Sequence, residues 1–304
     1  FVKQKAAYEI SLGLVGSEMC IRDSFLTLQR DNIYNGDVKM KAFSFIKTPL
    51  QGRIMKKPRT KGLTMVIDTG LGLSAAKDLM ENASEYIDFV KLAFGTPRLF
   101  EEEVLRRKIK LYRNYQIDVY PGGTFLEIAY SQNKLEKFLD KAKDLGFTAI
   151  EISDGSIEIN ESERERVIKT AKEKGFTVLT EVGKKLKTED LTPEEYANGI
   201  KKDLDLGAFK VLIEAREAGR GIGIYSDSGE VIEERVDLVL KYVNVDDVMF
   251  EAPLKNQQVW LISKYGPNVN LGNIHPENVI ALEALRTGLR ADTFILSMRG
   301  KRNR

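Results

Sequence analysis

From Gly62 onward one pattern repeats eight times: a short apolar, β-branched run, then a longer segment with helical spacing. That alternation constrains the fold more than any other feature of the chain. Runs apolar on both alternating faces read as strands buried from two sides, and such strands need helices to cover them. The strands are expected at "LTMVID" (63–68), "YIDFVKL" (86–92), "IDVYPG" (117–122), "TAIEIS" (148–153), "FTVLTEV" (176–182), "FKVLIEA" (209–215), "DVMFEA" (247–252) and "NVNLGN" (268–273). Between them lie amphipathic stretches such as "EEEVLRRKIKLYRNY", "SQNKLEKFLDKAKDLG", "ESERERVIKTAKEKG" and "PEEYANGIKKDLDLG". Several end on glycine just before the next strand, the chemistry of a helix C-cap feeding a parallel strand. Eight such units predict an α/β protein with one (β/α)8 TIM barrel. A doubly wound open sheet is the rival, but eight is the number of units that closes a barrel.

No Pro-, Gly- or Ser-rich linker splits the chain, so a single catalytic domain is expected over 37–296. The segment 1–36, with "YEISLGLVGSEMCIRDS", resembles a translated sequencing adapter and is expected to be an extension outside the fold. A signal peptide does not fit it, because the apolar run is short and acidic residues interrupt it. The basic end "SMRGKRNR" (297–304) is expected to be a disordered tail.

Composition narrows the chemistry. A chain of 304 residues, 42% hydrophobic and 30% charged, with a formal charge of +2, reads as a soluble globular protein. Nothing in that balance points to a nucleic-acid or membrane-surface partner. No stretch approaches the ~18 apolar residues of a membrane helix. The single cysteine, Cys20, excludes an internal disulfide framework and fits a reducing, cytoplasmic compartment. The single histidine, His275, argues against a histidine metal cage or a Ser-His-Asp triad. Carboxylates and amines must carry any reaction.

In a (β/α)8 barrel, catalytic groups project from the carboxyl ends of the strands. Strand one ends on Asp68 and strand two on Lys91. Strand three opens into Gly122, Gly123 and Thr124, with Glu127 close behind. Strand four carries Glu151 and then Asp154; strand five carries Glu181, with Lys184 and Lys185 after it. Strand six gives Glu214 and Arg216, strand seven Glu251, and strand eight Asn270 and Asn273. Taken singly, each Glu is as well explained by a helix cap or a rim ion pair. The ring as a whole, with cations interleaved, points to a site, because unpaired buried charges are expensive. Oxygen ligands without His or Cys suit a hard cation such as Mg2+. Lysines and an arginine on the same cavity suit a multiply anionic substrate. The parts fit an enolate intermediate protonated by lysine, and phosphoryl hydrolysis as well.

Two further features are discounted. "GRGIG" (219–223) lacks a following helix start, so it is expected to be a mobile loop over the barrel mouth, with backbone N–H groups for a phosphate, rather than a dinucleotide motif. His275, ahead of Pro276, is expected to be a surface or capping residue.

The stretches "YIDFVKLAFGT", "YPGGTFLEIAYS", "GFTAIEISDGS", "VLTEVGKK", "VLIEAREAGRGIG", "FEAPLKNQQ", "GPNVNLGNI" and "LEALRTGLRADTF" together resemble the phosphosulfolactate synthase family and touch every strand end. The resemblance implies a (β/α)8 barrel that adds sulfite to phosphoenolpyruvate, giving (2R)-phospho-3-sulfolactate with Mg2+. In methanogen members that is the first step toward coenzyme M. It implies that the second lysine of "EVGKK", Lys185, donates the proton to C2. On this reading Lys91 and Arg216 bind phosphate or sulfite, with Arg290 of "GLRADT" another phosphate candidate. Gly122, Gly123, Asn270 and Asn273 complete the substrate site. Glu151, Asp154, Glu181, Glu214 and Glu251 are metal candidates, directly or through water, and a homo-oligomer is implied. The sequence departs from the family pattern at Thr69 and in "KLAFGTPRL", which places Phe94 and Pro97 near the pocket. Two alternatives stay open: a non-catalytic heat-stress-associated protein of the same family, and a barrel lyase using another nucleophile.

Overall fold

The computed structural model describes residues 41–182, 192–215, 218–221 and 223–302. The chain divides into two compact units, Phe1–Lys47 and Thr48–Arg304. In the first, the described residues 41–47 form turns that carry exposed Phe43 and Phe45, their rings edge-on at 6.0 Å. The extension expected at 1–36 lies outside the described residues.

In the second unit the strands are β1 (Thr64–Asp68), β2 (Phe89–Leu92), β3 (Asp118–Pro121), β4 (Ala149–Ile152), β5 (Thr177–Val182), β6 (Lys210–Ile213), β7 (Val248–Glu251) and β8 (Leu271–Ile274). The helices are α1 (Leu73–Ala83), α2 (Glu102–Arg113), α3 (Gly123–Ser131), α4 (Leu135–Leu145), α5 (Glu161–Glu173), α6 (Pro193–Asp205), α7 (Glu233–Leu240), α8 (Lys255–Tyr265), α9 (Val279–Arg286) and α10 (Ala291–Arg302). The last of these takes in 297–302, most of the stretch expected to be a tail. All ladders are parallel, in the order β3-β2-β1-β8-β7-β6-β5-β4. Where β3 meets β4, Thr148 N–H donates to Val119 O (3.1 Å) and its hydroxyl accepts from Val119 N–H (3.0 Å). The sheet is thereby nearly closed, and the expected single-domain (β/α)8 barrel is the fold.

Local chemistry explains the alternation. In α4, Leu135, Phe138, Leu139 and Ala142 recur at helical spacing and pack onto the main core. Gly146, at φ 96°, ends the helix in the left-handed region. Phe147 N–H then reaches back to Ala142 O (3.0 Å), and β4 starts at Ala149. The same backward bond closes α5 (Phe176 to Ala171, 3.1 Å) and α6 (Ala208 to Asp203, 2.9 Å). At the opposite ends Asn160 caps α5 by accepting from Glu163 N–H, and Thr192 and Glu195 form a capping box on α6. Each cap contributes about 1 kcal/mol.

Strand side chains alternate between two faces. The outward set packs under the helices, while Met65, Phe89, Tyr120, Ala149, Leu179, Leu212 and Met249 fill the barrel interior. Two residues further along, the same inward face carries a charge on five strands: Lys91, Glu151, Glu181, Glu214 and Glu251. The triplets FVK, AIE, LTE, LIE and MFE each place an apolar residue in the plug and a charged one above it. In β8 the register slips, Thr64 pairing with Leu271 but Val66 with Ile274. The extra residue is a bulge, and Asn273 within it has φ 53°.

The amino end of the barrel is closed by polar groups. Arg59 grips Asp88 through two bonds of 2.9 and 2.8 Å, and Asp88 also accepts from Thr64 N–H (2.9 Å). Arg53 pairs with Glu283 at 3.0 Å, and Arg286 donates to the carbonyls of Pro267, Val269 and Leu63. Asn270 belongs here, not at the mouth. It accepts from Leu63 N–H (3.1 Å) and donates to Asp246 O and Val248 O. Because β8 begins at Leu271 rather than 268, Asn270 precedes the strand and is spent on backbone groups.

Candidate active site

At the carboxyl end of the strands lies a cavity of about 370 Å³. Its walls are Ile67, Lys91, Ala93, Phe94, Gly122, Gly123, Thr124, Glu151, Glu181, Glu214, Ala218, Glu251 and Asn273. Lys91 Nζ sits 2.9 Å from Glu151 Oε2 and 3.2 Å from Glu251 Oε1. The remaining oxygens are steered by the backbone: Gly123 N–H donates to Glu151 Oε1 (2.8 Å) and Ala215 N–H to Glu251 Oε2 (3.1 Å). Gly123 has to be glycine, since a Cβ there would stand 2.6 Å from Ser153 Cβ and 2.8 Å from Glu151 Oε1. Glu181, Glu214 and Glu251 each bring one oxygen within 4.8 Å of the others.

Four buried carboxylates thus share one described ammonium. Two unit charges 4.8 Å apart repel by about 3–4 kcal/mol at an effective dielectric of 20. Such crowding favours the uptake of a proton or a cation. Burial, with Glu181 and Glu151 adding to it, raises the Glu251 carboxyl above its ordinary pKa although Lys91 pulls the other way. Burial works against the Lys91 ammonium, but Glu151 and Glu251 outweigh it and hold its pKa well above the ordinary value. Lys91 is therefore a fixed cation and not a proton acceptor. An all-oxygen, buried trio fits a hard divalent ion, one or two carboxylates binding directly and the rest through water.

The expected residues divide into three groups. Lys91, Gly122, Gly123, Glu151, Glu181, Glu214, Glu251 and Asn273 meet at the cavity. Asn270, Asp154 and Arg290 do not. Asp154 is paired with Arg164 at 3.3 Å, and Arg290 lies in the turn after α9, 3.7 Å from Asp292, at the helix end remote from β8. Lys184, Lys185 and Arg216 fall outside the described residues. Asp68, the last residue of β1, is anchored instead by Lys108 (2.7 Å), the Tyr112 hydroxyl (2.7 Å) and the N–H groups of Gly70 and Leu71.

Of the departures from the family pattern, Phe94 lines the cavity, whereas Thr69 is exposed and Pro97 lines a separate outer groove. In the glycine-rich loop, Gly221 N–H is bonded to Ser226 O (2.9 Å). Gln257 holds the carbonyls of Gly219 and Gly229, so among the described residues of the loop Gly219 is anchored and Gly221 N–H is engaged. His275 stands at the N-cap of the turn Pro276–Asn278 without a side-chain capping bond.

Glu127 was undervalued by sequence reading. Buried in α3, it accepts from the Ser153 hydroxyl and from the N–H groups of Gly155 and Ser156, and so shapes the loop after β4. Its signal was a lone carboxylate amid the apolar positions of "TFLEIA".

A sequence model of the family described as (2R)-phospho-3-sulfolactate synthase (ComA) matches residues 52–292. The phosphosulfolactate synthase of Methanocaldococcus jannaschii is 47% identical over 257 residues, covering 84% of this chain and 99% of that protein. That of Methanothermobacter thermautotrophicus is 44% identical, covering 84% and 98%. That of Bacillus subtilis is 41% identical, covering 79% and 95%. Among the described residues no helix is long and apolar enough to cross a membrane. The cavity and these matches agree: the chain is an enzyme of the carbon–sulfur lyase type and belongs to the (2R)-phospho-3-sulfolactate synthase family.

Proposed function

We propose that the chain adds sulfite to phosphoenolpyruvate to give (2R)-phospho-3-sulfolactate, with Mg2+ as cofactor. The observation that carries this reading is the Glu181–Glu214–Glu251 trio beside a protonated Lys91 in one buried cavity. The sulfur lone pair of sulfite forms a bond to C3. The C2–C3 π electrons move to C2 and toward the carboxylate, and a proton reaches C2. No group leaves, and the phosphate ester is retained.

Glu181, Glu214 and Glu251 would hold the ion, which when bound supplies Lewis-acid stabilisation of charge on the substrate carboxylate. Lys91 adds a fixed positive charge to the same cavity. The amino terminus of α3 borders it through Gly122, Gly123 and Thr124, and the positive end of its dipole favours an anion in the cavity. By family resemblance Lys185 donates the proton to C2 from one face, and Arg216 adds an anion contact. A cytoplasmic homo-oligomer acting on small anions completes the proposal.

Phosphorus NMR of the purified full chain with phosphoenolpyruvate, Mg2+ and sulfite tests it. An enol phosphate becoming an alkyl phosphate gives a new signal. The expected signal requires both sulfite and Mg2+ and vanishes in Lys185→Ala. Phosphoenolpyruvate persisting unchanged with folded protein would sink the reading. A signal without sulfite would instead point to another nucleophile.

A further inference from the structure

The carboxyl end of β5 is held by more than the apolar packing of Val182. Behind it, between α5 and α6, lies a second cavity of about 450 Å³ that reaches Glu181 and Val182. Hydrogen bonds do the fixing there. Arg164 of α5 donates through Nη2 to Glu181 O at 3.1 Å. The same guanidinium binds Asp203 of α6 in a fork, Nε to Oδ1 at 2.9 Å and Nη2 to Oδ2 at 2.6 Å. Its third nitrogen, Nη1, lies 3.3 Å from Asp154 on the loop after β4. The Tyr196 hydroxyl of α6 donates to the next carbonyl, that of Val182. Two successive carbonyls at the end of one strand are therefore held from outside the barrel.

We propose that Arg164 is a positioning residue for the metal site. By tying the Glu181 carbonyl to α6 and to the loop after β4, it fixes the rotation of the β5 end and aims the Glu181 carboxylate at Glu214 and Glu251. The planar guanidinium makes these bonds in fixed directions, including the two-pronged grip on Asp203, whereas a lysine ammonium is a point charge without that fork. This inference rests on the reading of the trio as the metal site. Groups that orient metal ligands typically contribute 10- to 100-fold in metal affinity.

The test is Mn2+ binding to the full chain, read from the electron paramagnetic resonance signal of the free ion, with the thermal midpoint measured alongside. Arg164→Met is expected to raise the Mn2+ Kd about 10- to 100-fold while the protein is folded, and Arg164→Lys to fall between. Arg166→Met, an exposed neighbour on the same helix, is expected to bind as the unsubstituted chain does. Folded Arg164→Met with an unchanged Kd overturns the inference. Should that variant not fold, Asp203→Asn decides: a raised Kd supports the clamp, and an unchanged one overturns it. If the unsubstituted chain binds no Mn2+, the metal reading falls and takes this inference with it, an outcome distinct from binding that survives the substitution.

Discussion

At the amino end of the barrel Arg59 meets Asp88 and Arg53 meets Glu283, each cation beside its own carboxylate. At the carboxyl end Glu151, Glu181, Glu214 and Glu251 crowd around Lys91. The residue types are alike and the burial is alike; only the stoichiometry differs. The amino end holds two matched pairs, and a third cation, Arg286, rests on backbone carbonyls there. At the mouth four carboxylates and one described ammonium, Lys91, line a single cavity. One end of the barrel pairs its buried charges one to one, and the other gathers its carboxylates around one cavity.

The largest effect that would break this contrast is on stability at the amino end. Arg59→Met strands Asp88, and loss of one partner of a buried pair costs about 3–5 kcal/mol. Urea unfolding is expected to show that loss, with kcat per folded molecule unchanged. A fall in kcat with full stability would mean the two ends are not separate in function.

Next comes the mouth, where the pattern reverses. Glu214→Gln is expected to lower kcat about 10²- to 10³-fold, the scale of removing one preorganised electrostatic group. An unchanged kcat in the folded variant would show that the reaction does not use the Glu214 charge.

A smaller effect sharpens the comparison through pH. Glu251 binds its proton more tightly folded than unfolded, so the native state holds more protons just above the ordinary carboxyl pKa of 4.5. By linkage, metal-free stability falls as pH rises from 4.5 through the raised value. Each kcal/mol appears as about 2–4 °C in the thermal midpoint. Saturating Mg2+ is expected to remove the decline, and calorimetry across that window checks it. The smallest effect is Asn160→Ala, a neutral cap at the mouth side of α5. It is expected to cost about 1 kcal/mol with kcat untouched.

Most of this architecture was legible because strand and helix periods differ and because glycine marks the helix ends. β8 was the exception: "NVNLGN" alternates apolar and polar residues from Val269 onward, so its start could not be fixed, and Asn270 was put at the wrong end. The ring of charges was legible strand by strand. The shared apolar-x-charged triplet behind it makes each charge the residue above a plug position. Pairing was not legible. Nothing local links Asp154 to Arg164 or Arg164 to Asp203, 39 residues away, since these contacts exist only once the helices are packed. Glu127 was placed near the end of strand three but given no role, because a carboxylate in an apolar helix has no readable partner until the β4 loop folds onto it.

Seven of the eight strand junctions are hydrogen-bonded ladders, and the eighth is the contact between Val119 and Thr148. A hoop heated uniformly parts at its poorest joint. Deuterium should therefore enter at the Val119 and Thr148 amides before the other strand amides. Glu151 and Gly123, which touch across the mouth just above that joint, would separate with it. Thermal breathing would in that sense be directional, widening the reaction chamber along one stave while the carboxylate trio, carried on strands joined by unbroken ladders, stays in register.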